Sequence, residues 1–205
     1  MKLYYTPGAC SLSVHIVLRE AGVPFELEKV DLRTKRTQKG EDYTTINPKG
    51  SVPALRLEDG SILTEAAVCL QYVADLAPQT DLAPIAGTFE RYRLMEWINF
   101  TSSEIHKTFG PLFDPSASDE LRQRQIGLLG KRFDYVNKHL GEHPFLVGGR
   151  FTVADAYLYT VLNWTHVHKI AIDRWPALQE YMKRVGERPK VREAMKAEGL
   201  SQQAA

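Results

Sequence analysis

The chain has 205 residues, 43% apolar and 25% charged, the proportions of a globular protein of one or two domains and not of a disordered, fibrous or low-complexity chain. Lys and Arg number 26 against 25 Asp and Glu, for a net charge of +1, so there is no whole-molecule basic field to hold nucleic acid. No apolar run reaches the ~18–20 residues of a membrane helix, and Met1-Lys2-Leu3-Tyr4-Tyr5 runs into Thr6-Pro7-Gly8 with no apolar signal stretch behind it, which makes the expected location cytoplasmic.

Strand and helix signals alternate over the first 80 residues. Lys2-Leu3-Tyr4-Tyr5 reads as a short strand stopped by Pro7-Gly8. From Ser11 to Ala21 the apolar residues Val14, Val17, Leu18 and Ala21 carry helical spacing, and Gly22 supplies the C′ stop. Phe25 to Val30 reads as a second strand. Asp31 to Pro48 is polar and turn-rich, with at most a short helix near Asp42 to Thr45. Ala54 to Leu57 and Ser61 to Leu63 flank Glu58-Asp59-Gly60, a hairpin signal, and Thr64 opens a helix to about Asp75. A linker over 77–87, with Pro78 and Pro84, follows. Beyond it the pattern is helical: Thr88 to Phe109, Ser118 to Leu140, a Thr152-capped helix to about His168 with Asp155 reaching back, Pro176 to Val185, and Pro189 to Ala197. The expected organisation is a small α/β domain over 1–80 followed by an all-α domain over 87–205.

Four sets of residues carry possible chemistry. Cys10 lies where the first strand gives way to the first helix, where N–H groups and the helix dipole favour a thiolate. Its pattern is Cys10-Ser11-Leu12-Ser13; with no second cysteine at the fourth position, a mixed disulfide there needs an external thiol to resolve it. Cys69, beside Val68 and Leu70 in a helix, reads as core. Ser51-Val52-Pro53-Ala54 is the second set. A cis bond at Pro53 would leave the backbone of Val52 open to an extended peptide, although on this stretch alone an ordinary edge proline is the simpler account. Thr64-Glu65-Ala66 opens a helix whose N–H groups can hold a carboxylate, with Glu65 able to pair with an amine or simply to complement the dipole. Asn99, Ser103 and His106, spaced by four and three, share one helix face with Lys107 adjacent; a cleft wall and a solvated face explain them equally. His166 and His168, two apart, point to different faces and make no metal pair. No glycine-rich nucleotide loop, G-x-S-x-G or H-E-x-x-H pattern occurs.

In this order, residues 4–13 (Tyr-Tyr-Thr-Pro-Gly-Ala-Cys-Ser-Leu-Ser), 47–55 (Asn-Pro-Lys-Gly-Ser-Val-Pro-Ala-Leu), 63–66 (Leu-Thr-Glu-Ala), 103–107 (Ser-Glu-Ile-His-Lys) and 151–158 (Phe-Thr-Val-Ala-Asp-Ala-Tyr-Leu) resemble a bacterial cytosolic glutathione S-transferase of the beta class, over essentially the whole chain. The resemblance implies a thioredoxin-like N-terminal domain, a helical-bundle C-terminal domain and a homodimer. It implies that glutathione is co-substrate, with no permanently bound cofactor and no metal, and that its thiolate is conjugated to small hydrophobic electrophiles, with thiol–disulfide exchange through Cys10. By the same resemblance Cys10 contacts the glutathione sulfur with His106 near it. Val52 pairs with the cysteinyl backbone, Glu65 and the Ala66 N–H hold the γ-glutamyl end, and Lys35 reaches the glycyl carboxylate. Asn99, Ser103 and Glu104 close over the γ-glutamyl end, partly from the other subunit. The chain departs from the pattern at Ala66, where many relatives carry Ser. Phe109, Phe113 and Trp164 line an apolar pocket or belong to the core. The competing reading is a non-catalytic carrier of apolar ligands.

Overall fold

The structure, a computed structural model, describes residues 1–200. Two compact units form: Met1–Ala83 with the segment from Glu187, and Pro84–Gly186. Among the described residues no helix is long and apolar enough to cross a membrane.

The first unit is thioredoxin-like. Strands β1 (Lys2–Tyr5), β2 (Glu26–Asp31), β3 (Arg36–Thr37), β4 (Ala54–Arg56) and β5 (Ile62–Thr64) form one sheet in the order β3-β2-β1-β4-β5. β1 and β2 are parallel, as their connection through helix α1 (Ser11–Ala21) requires, and the other pairs are antiparallel. β4 and β5 form the expected hairpin, with Ala54 opposite Thr64 and Gly60 at φ 87° in the turn. The pleat puts Tyr4, Val30 and Ala54 on one face, where they pack with Tyr43 and Val52. Helix α1 packs on β1 and on α2 (Ala66–Leu76), burying Leu12, Ile16, Val17, Leu18, Cys69, Leu70 and Val73. Gly22 ends α1 at φ 66°, as its position predicts.

Three details depart from the sequence reading here. β3 is too short, at two residues, to leave a periodic signal. Thr64 belongs to β5, and α2 begins only at Ala66. The segment from Glu187, read with the helical domain over 87–205, joins the first unit because its helix packs on α1 and its Glu198 is buried there; residues 201–205 of that range lie outside the described residues.

The second unit is helical: α3 (Phe89–Phe100), a π-helical turn (Thr101–His106), α4 (Lys107–Phe109), α5 (Asp119–Glu142), α6 (Val153–Leu162), α7 (Trp164–Val167) and α8 (Pro176–Gly186). α9 (Pro189–Ala197) is the helix that returns to the first unit. The single helix read from Thr88 to Phe109 is therefore interrupted. Two hydroxyls take backbone carbonyls along this stretch: Ser103 Oγ donates to the Asn99 carbonyl at 3.0 Å and Thr108 Oγ1 donates to the Glu104 carbonyl at 2.5 Å, while the Lys107 N–H reaches back five residues to the Ser102 carbonyl. The helix read to His168 likewise ends at Leu162, with Asn163 opening a separate short helix.

α6 is buried along its whole length and is oriented from its first turn. Asp155 accepts from the Thr152 N–H at 2.8 Å, the Leu146 N–H at 3.0 Å and the Tyr181 hydroxyl at 3.2 Å, so one fully buried carboxylate fixes the cap, the loop before it and α8. Replacing it by Ala strands buried N–H groups, each worth ~1–3 kcal/mol. Asp155→Ala is expected to lower Tm by roughly 6–12 °C, the shift for about 3 kcal/mol in a chain of this size, measured by calorimetry; an unchanged Tm would remove Asp155 from the account of this fold.

Candidate active site

The residues singled out from the sequence fall into two sets, one in each unit. In the first unit, Cys10 is the N-cap residue of α1, half-buried, and its Sγ donates to the Val52 carbonyl at 3.1 Å. The Val52–Pro53 bond is cis, as the peptide-pairing reading requires. The segment before it is braced from below. The Ser51 carbonyl accepts from the Tyr43 hydroxyl at 2.8 Å and the Asn47 side-chain amide at 2.7 Å, the Gly50 N–H donates to the Asn47 carbonyl at 2.8 Å, and Lys35 Nζ donates to the Gly50 carbonyl at 2.8 Å. Lys35 itself sits at φ 55° and Gly50 at φ 62°, left-handed conformations that bring the lysine stem against the glycine, where a Cβ would meet it at 3.3 Å. Lys35, Cys10 and Val52 are thus tied to one loop.

Glu65 is the N-cap residue of α2, at φ 69°, a rare conformation for a side-chain-bearing residue. Such positions cost of order 1–3 kcal/mol and persist where surrounding structure imposes them. Its carboxylate pairs with Lys49 Nζ at 2.5 Å, both side chains more than half exposed, so the pair is loosely held. Ala66 is buried and its N–H is one of the first-turn donors with no partner inside the helix.

The thiol is where the sequence reading needs correction. Burial pushes the Cys10 thiol up to about 12, and the Glu65 carboxylate adds to the rise, while the N–H groups of Cys10 and Ser11 pull against it without prevailing. The helix N-terminus acts in the expected direction, but desolvation of the thiolate is larger. In this state Cys10 is a neutral thiol that donates a hydrogen bond. Cys69, fully buried, is also pushed up to about 12 and donates to the Leu63 carbonyl at 3.6 Å, a core residue as read.

In the second unit, Asn99 ends α3 and Ser103, Glu104 and His106 lie in the π-helical turn. Asn99 and Ser103 are exposed. Glu104 pairs with Arg132 of α5 at 2.7 Å. Of the two readings its spacing left open, a cleft wall and a solvated face, the wider turn does not put His106 on the exposed face that Asn99 and Ser103 share. Its ring is half-buried, with Nδ1 at 2.8 Å from the Tyr157 hydroxyl and the Trp164 ring edge-on at 4.8 Å. Lys107 is exposed. Trp164 also meets Phe109 at 5.6 Å and Phe113 at 5.2 Å; Phe109 and Trp164 are buried, whereas Phe113 is half exposed.

Tyr43, Asn47, Lys49 and Tyr157 were not singled out by the sequence. Asn47-Pro48-Lys49-Gly50 carries a turn signature that marks the brace. Tyr157 gives no such signal, since an aromatic residue in an apolar helix reads as core.

Residues 8–76 match the family model of the glutathione S-transferase N-terminal domain and residues 100–189 that of the C-terminal domain. The chain is 46% identical over 200 residues to glutathione S-transferase GstA of Escherichia coli O157:H7, covering 98% of this chain and all of the relative. It superposes with TM-score 0.95 and 45% identity on a sphingomonad glutathione S-transferase complexed with glutathione, and with TM-score 0.95 and 44% identity on the bacterial beta-class glutathione S-transferase of Sphingomonas chungbukensis, covering 98% of this chain and all of the other in both cases.

The raised thiol sets a pH signature. A thiolate fraction of roughly one in 10⁴–10⁵ at neutral pH grows tenfold per unit until about 12. Iodoacetamide alkylation of Cys10 in the ligand-free protein, followed by peptide mass spectrometry, is expected to rise tenfold per pH unit from about pH 7 to about pH 10 with no plateau. A plateau below pH 9 would show that the helix N-terminus, not burial, governs the thiol.

Proposed function

The chain belongs to the glutathione S-transferase family, and from that membership we propose that it conjugates glutathione to small hydrophobic electrophiles in the cytoplasm. The observation that carries the reading is Cys10 Sγ at the N-terminus of α1, 3.1 Å from the carbonyl that precedes cis-Pro53. A hydrogen-bond donor suited to a sulfur anion lies against the backbone carbonyl of Val52, each engaging the other until a ligand takes both, and glutathione is a peptide with a thiol.

In this reading Val52 pairs with the cysteinyl backbone, Glu65 takes the γ-glutamyl amine in exchange for Lys49, and the Ala66 N–H takes the adjoining carboxylate. Lys35, already aimed at Gly50, takes the glycyl carboxylate. Asn99, Ser103 and Glu104 complete the γ-glutamyl contacts, partly from a second copy of the chain, and His106 is the second catalytic group. The glutathione S–H ionises, its proton passing to solvent; the thiolate forms a bond to an electrophilic carbon, and the leaving group departs with the electron pair of the broken bond. Because Cys10 is a neutral thiol, the nucleophile is the ligand's sulfur, stabilised by the Cys10 S–H and the N-terminal N–H groups of α1. Exchange with mixed disulfides needs the Cys10 thiolate and is the weaker activity.

A homodimer follows from the same reading. α2 exposes Val68 and Leu76, and α3 exposes Phe89, Tyr92 and Met95, apolar residues of the kind an interface covers, and the near-zero net charge offers little repulsion.

Turnover is to be measured on aryl halides, epoxides, hydroperoxides and glutathione mixed disulfides, with glutathione affinity by calorimetry. Conjugation is expected in the wild type. Cys10→Ala is expected to abolish disulfide exchange and to reduce conjugation less; His106→Ala is expected to reduce conjugation roughly 10–100-fold, the effect of losing one of several electrostatic supports. Glutathione binding with no turnover on any of these would favour the carrier reading. Sedimentation at micromolar concentration is expected to show a dimer; a fully active monomer would remove the shared site.

A further inference from the structure

At the N-terminus of α2 the Glu65 carboxylate already has a cation. Lys49 Nζ lies 2.5 Å from Glu65 Oε1, with 53% of the lysine side chain and 64% of the glutamate side chain exposed. The side chains are open to water, but the backbones that carry them are fixed. The Lys49 N–H donates to Asn47 Oδ1 at 3.2 Å, and the Gly50 N–H that follows donates to the Asn47 carbonyl at 2.8 Å. The Glu65 carbonyl accepts from the Val68 and Cys69 N–H groups at 3.0 and 2.9 Å, with Glu65 itself at φ 69°. Lys35, the other lysine tied to this loop, is engaged with the Gly50 carbonyl at 2.8 Å.

An amine that arrives at Glu65 has to displace Lys49. A ligand that brings only an ammonium exchanges one cation for another, and the released lysine gains nothing in return. A ligand that brings an ammonium and a carboxylate on the same carbon is different. Its carboxylate reaches the first turn of α2, where the Ala66 N–H is a donor and the helix dipole favours an anion. Ala66 has no side-chain donor to add, so a side-chain partner for that carboxylate comes from another residue. The displaced Lys49 ammonium starts in contact with the residue before Ala66, on a flexible stem whose backbone stays in place. An internal partner that must be displaced weighs against the wrong ligand, and a partner that is regained favours the right one.

We propose that Lys49 is a specificity-determining residue. It occupies Glu65 in the ligand-free protein and, once displaced, holds the α-carboxylate of the incoming ligand, so that the N-terminus of α2 selects an α-amino-acid end, ammonium and carboxylate together, over a bare amine. One ion pair in the free protein becomes two in the complex, Glu65 with the ligand ammonium and Lys49 with the ligand carboxylate. A bare amine leaves one pair before binding and one after. The inference rests on the transferase reading, in which the γ-glutamyl end of glutathione lies at Glu65, and adds which chemical feature of that end is read and by which residue.

The test is calorimetric titration of the full-length protein with three peptides: glutathione; 4-aminobutyryl-cysteinyl-glycine, which is glutathione without the α-carboxylate; and γ-glutamyl-cysteinyl-glycinamide, which keeps the α-carboxylate and loses the glycyl one. Wild type is compared with Lys49→Met, which keeps most of the stem and removes the charge at an exposed position. The preference for glutathione over the aminobutyryl peptide, taken as the ratio of the two Kd values, is expected to fall roughly 3–10-fold in Lys49→Met, the scale of an exposed ion pair lost by one ligand and a competitor removed for the other. The preference over the glycinamide is expected to stay within about twofold, because the glycyl carboxylate goes to Lys35 and distant charges are screened. An unchanged or larger preference over the aminobutyryl peptide overturns the proposal. So does an equal fall in both preferences, which would make Lys49 a general source of positive field. If the wild type binds no glutathione, the transferase reading fails and the inference with it; if the wild type binds glutathione and Lys49→Met keeps its full preference, the inference alone fails.

Discussion

Burying a carboxylate without partners costs several kcal/mol, and the first unit buries one whose partners hold together its most distant parts. Glu198, just past α9, has no exposed side-chain surface. One oxygen accepts from the Gly8 N–H at 2.9 Å, in the turn between β1 and α1, and the other meets His15 Nδ1 at 2.8 Å, on α1 itself. Arg19 donates to His15 Nε2 at 2.8 Å, which leaves the imidazole proton on Nδ1, where Glu198 takes it. Gly8 is two residues from Cys10, so the carboxylate fixes both sides of the turn that presents the cysteine. A second link, the bidentate pair from Arg188 to Glu20 at 2.8 and 3.0 Å, holds the start of α9 to the end of α1. The register of the candidate site thus depends on a charge about 190 residues away along the chain.

With that turn fixed, the chemistry at Cys10 is decided by competition between two local effects. The N-terminus of α1 stabilises an anion, and partial burial of the sulfur strips an anion of some of the water it would need. Burial prevails for the protein's own thiol. The result is a site with a donor and no resident anion, which suits it to receive a sulfur anion from a ligand; a resident thiolate would repel one. The same accounting explains why the carbonyl before Pro53 faces a thiol and not solvent.

Where the sequence was legible, a local pattern carried the message. Val14, Val17 and Leu18 announce α1, Asp59-Gly60 announces the β4–β5 hairpin, Thr152 and Asp155 announce the start of α6, and the motifs around Cys10, Pro53 and Glu65 announce the family. What escaped was set by partners distant in sequence or by competing local terms. Tyr43 and Asn47 brace Ser51 only once β3 and the turn are built. β3 pairs over two residues, too few for a period. The π-helical turn follows from hydroxyls at Ser103 and Thr108 taking carbonyls that a uniform helix would use otherwise. Glu198 gives no sign of burial, since a Glu in a charged stretch just before a glycine reads as exposed. The sign of the effect of the helix on Cys10 was legible, but its size against desolvation was not, because depth of burial is a property of the whole unit.

The return of α9 to α1 also bears on how the chain is made. Translation delivers residues 1–83 first, but the unit they begin lacks the helix that covers α1 and the carboxylate that His15 and the Gly8 N–H require. Residues 84–186 form a contiguous stretch and are complete when their last residue emerges. The N-terminal unit therefore reaches its finished form only after Glu198 has left the ribosome, so the order of completion is the reverse of the order of synthesis. A nascent chain stalled before α9 carries every residue of the first unit's candidate site, from Cys10 to Ala66, on a scaffold that is still open.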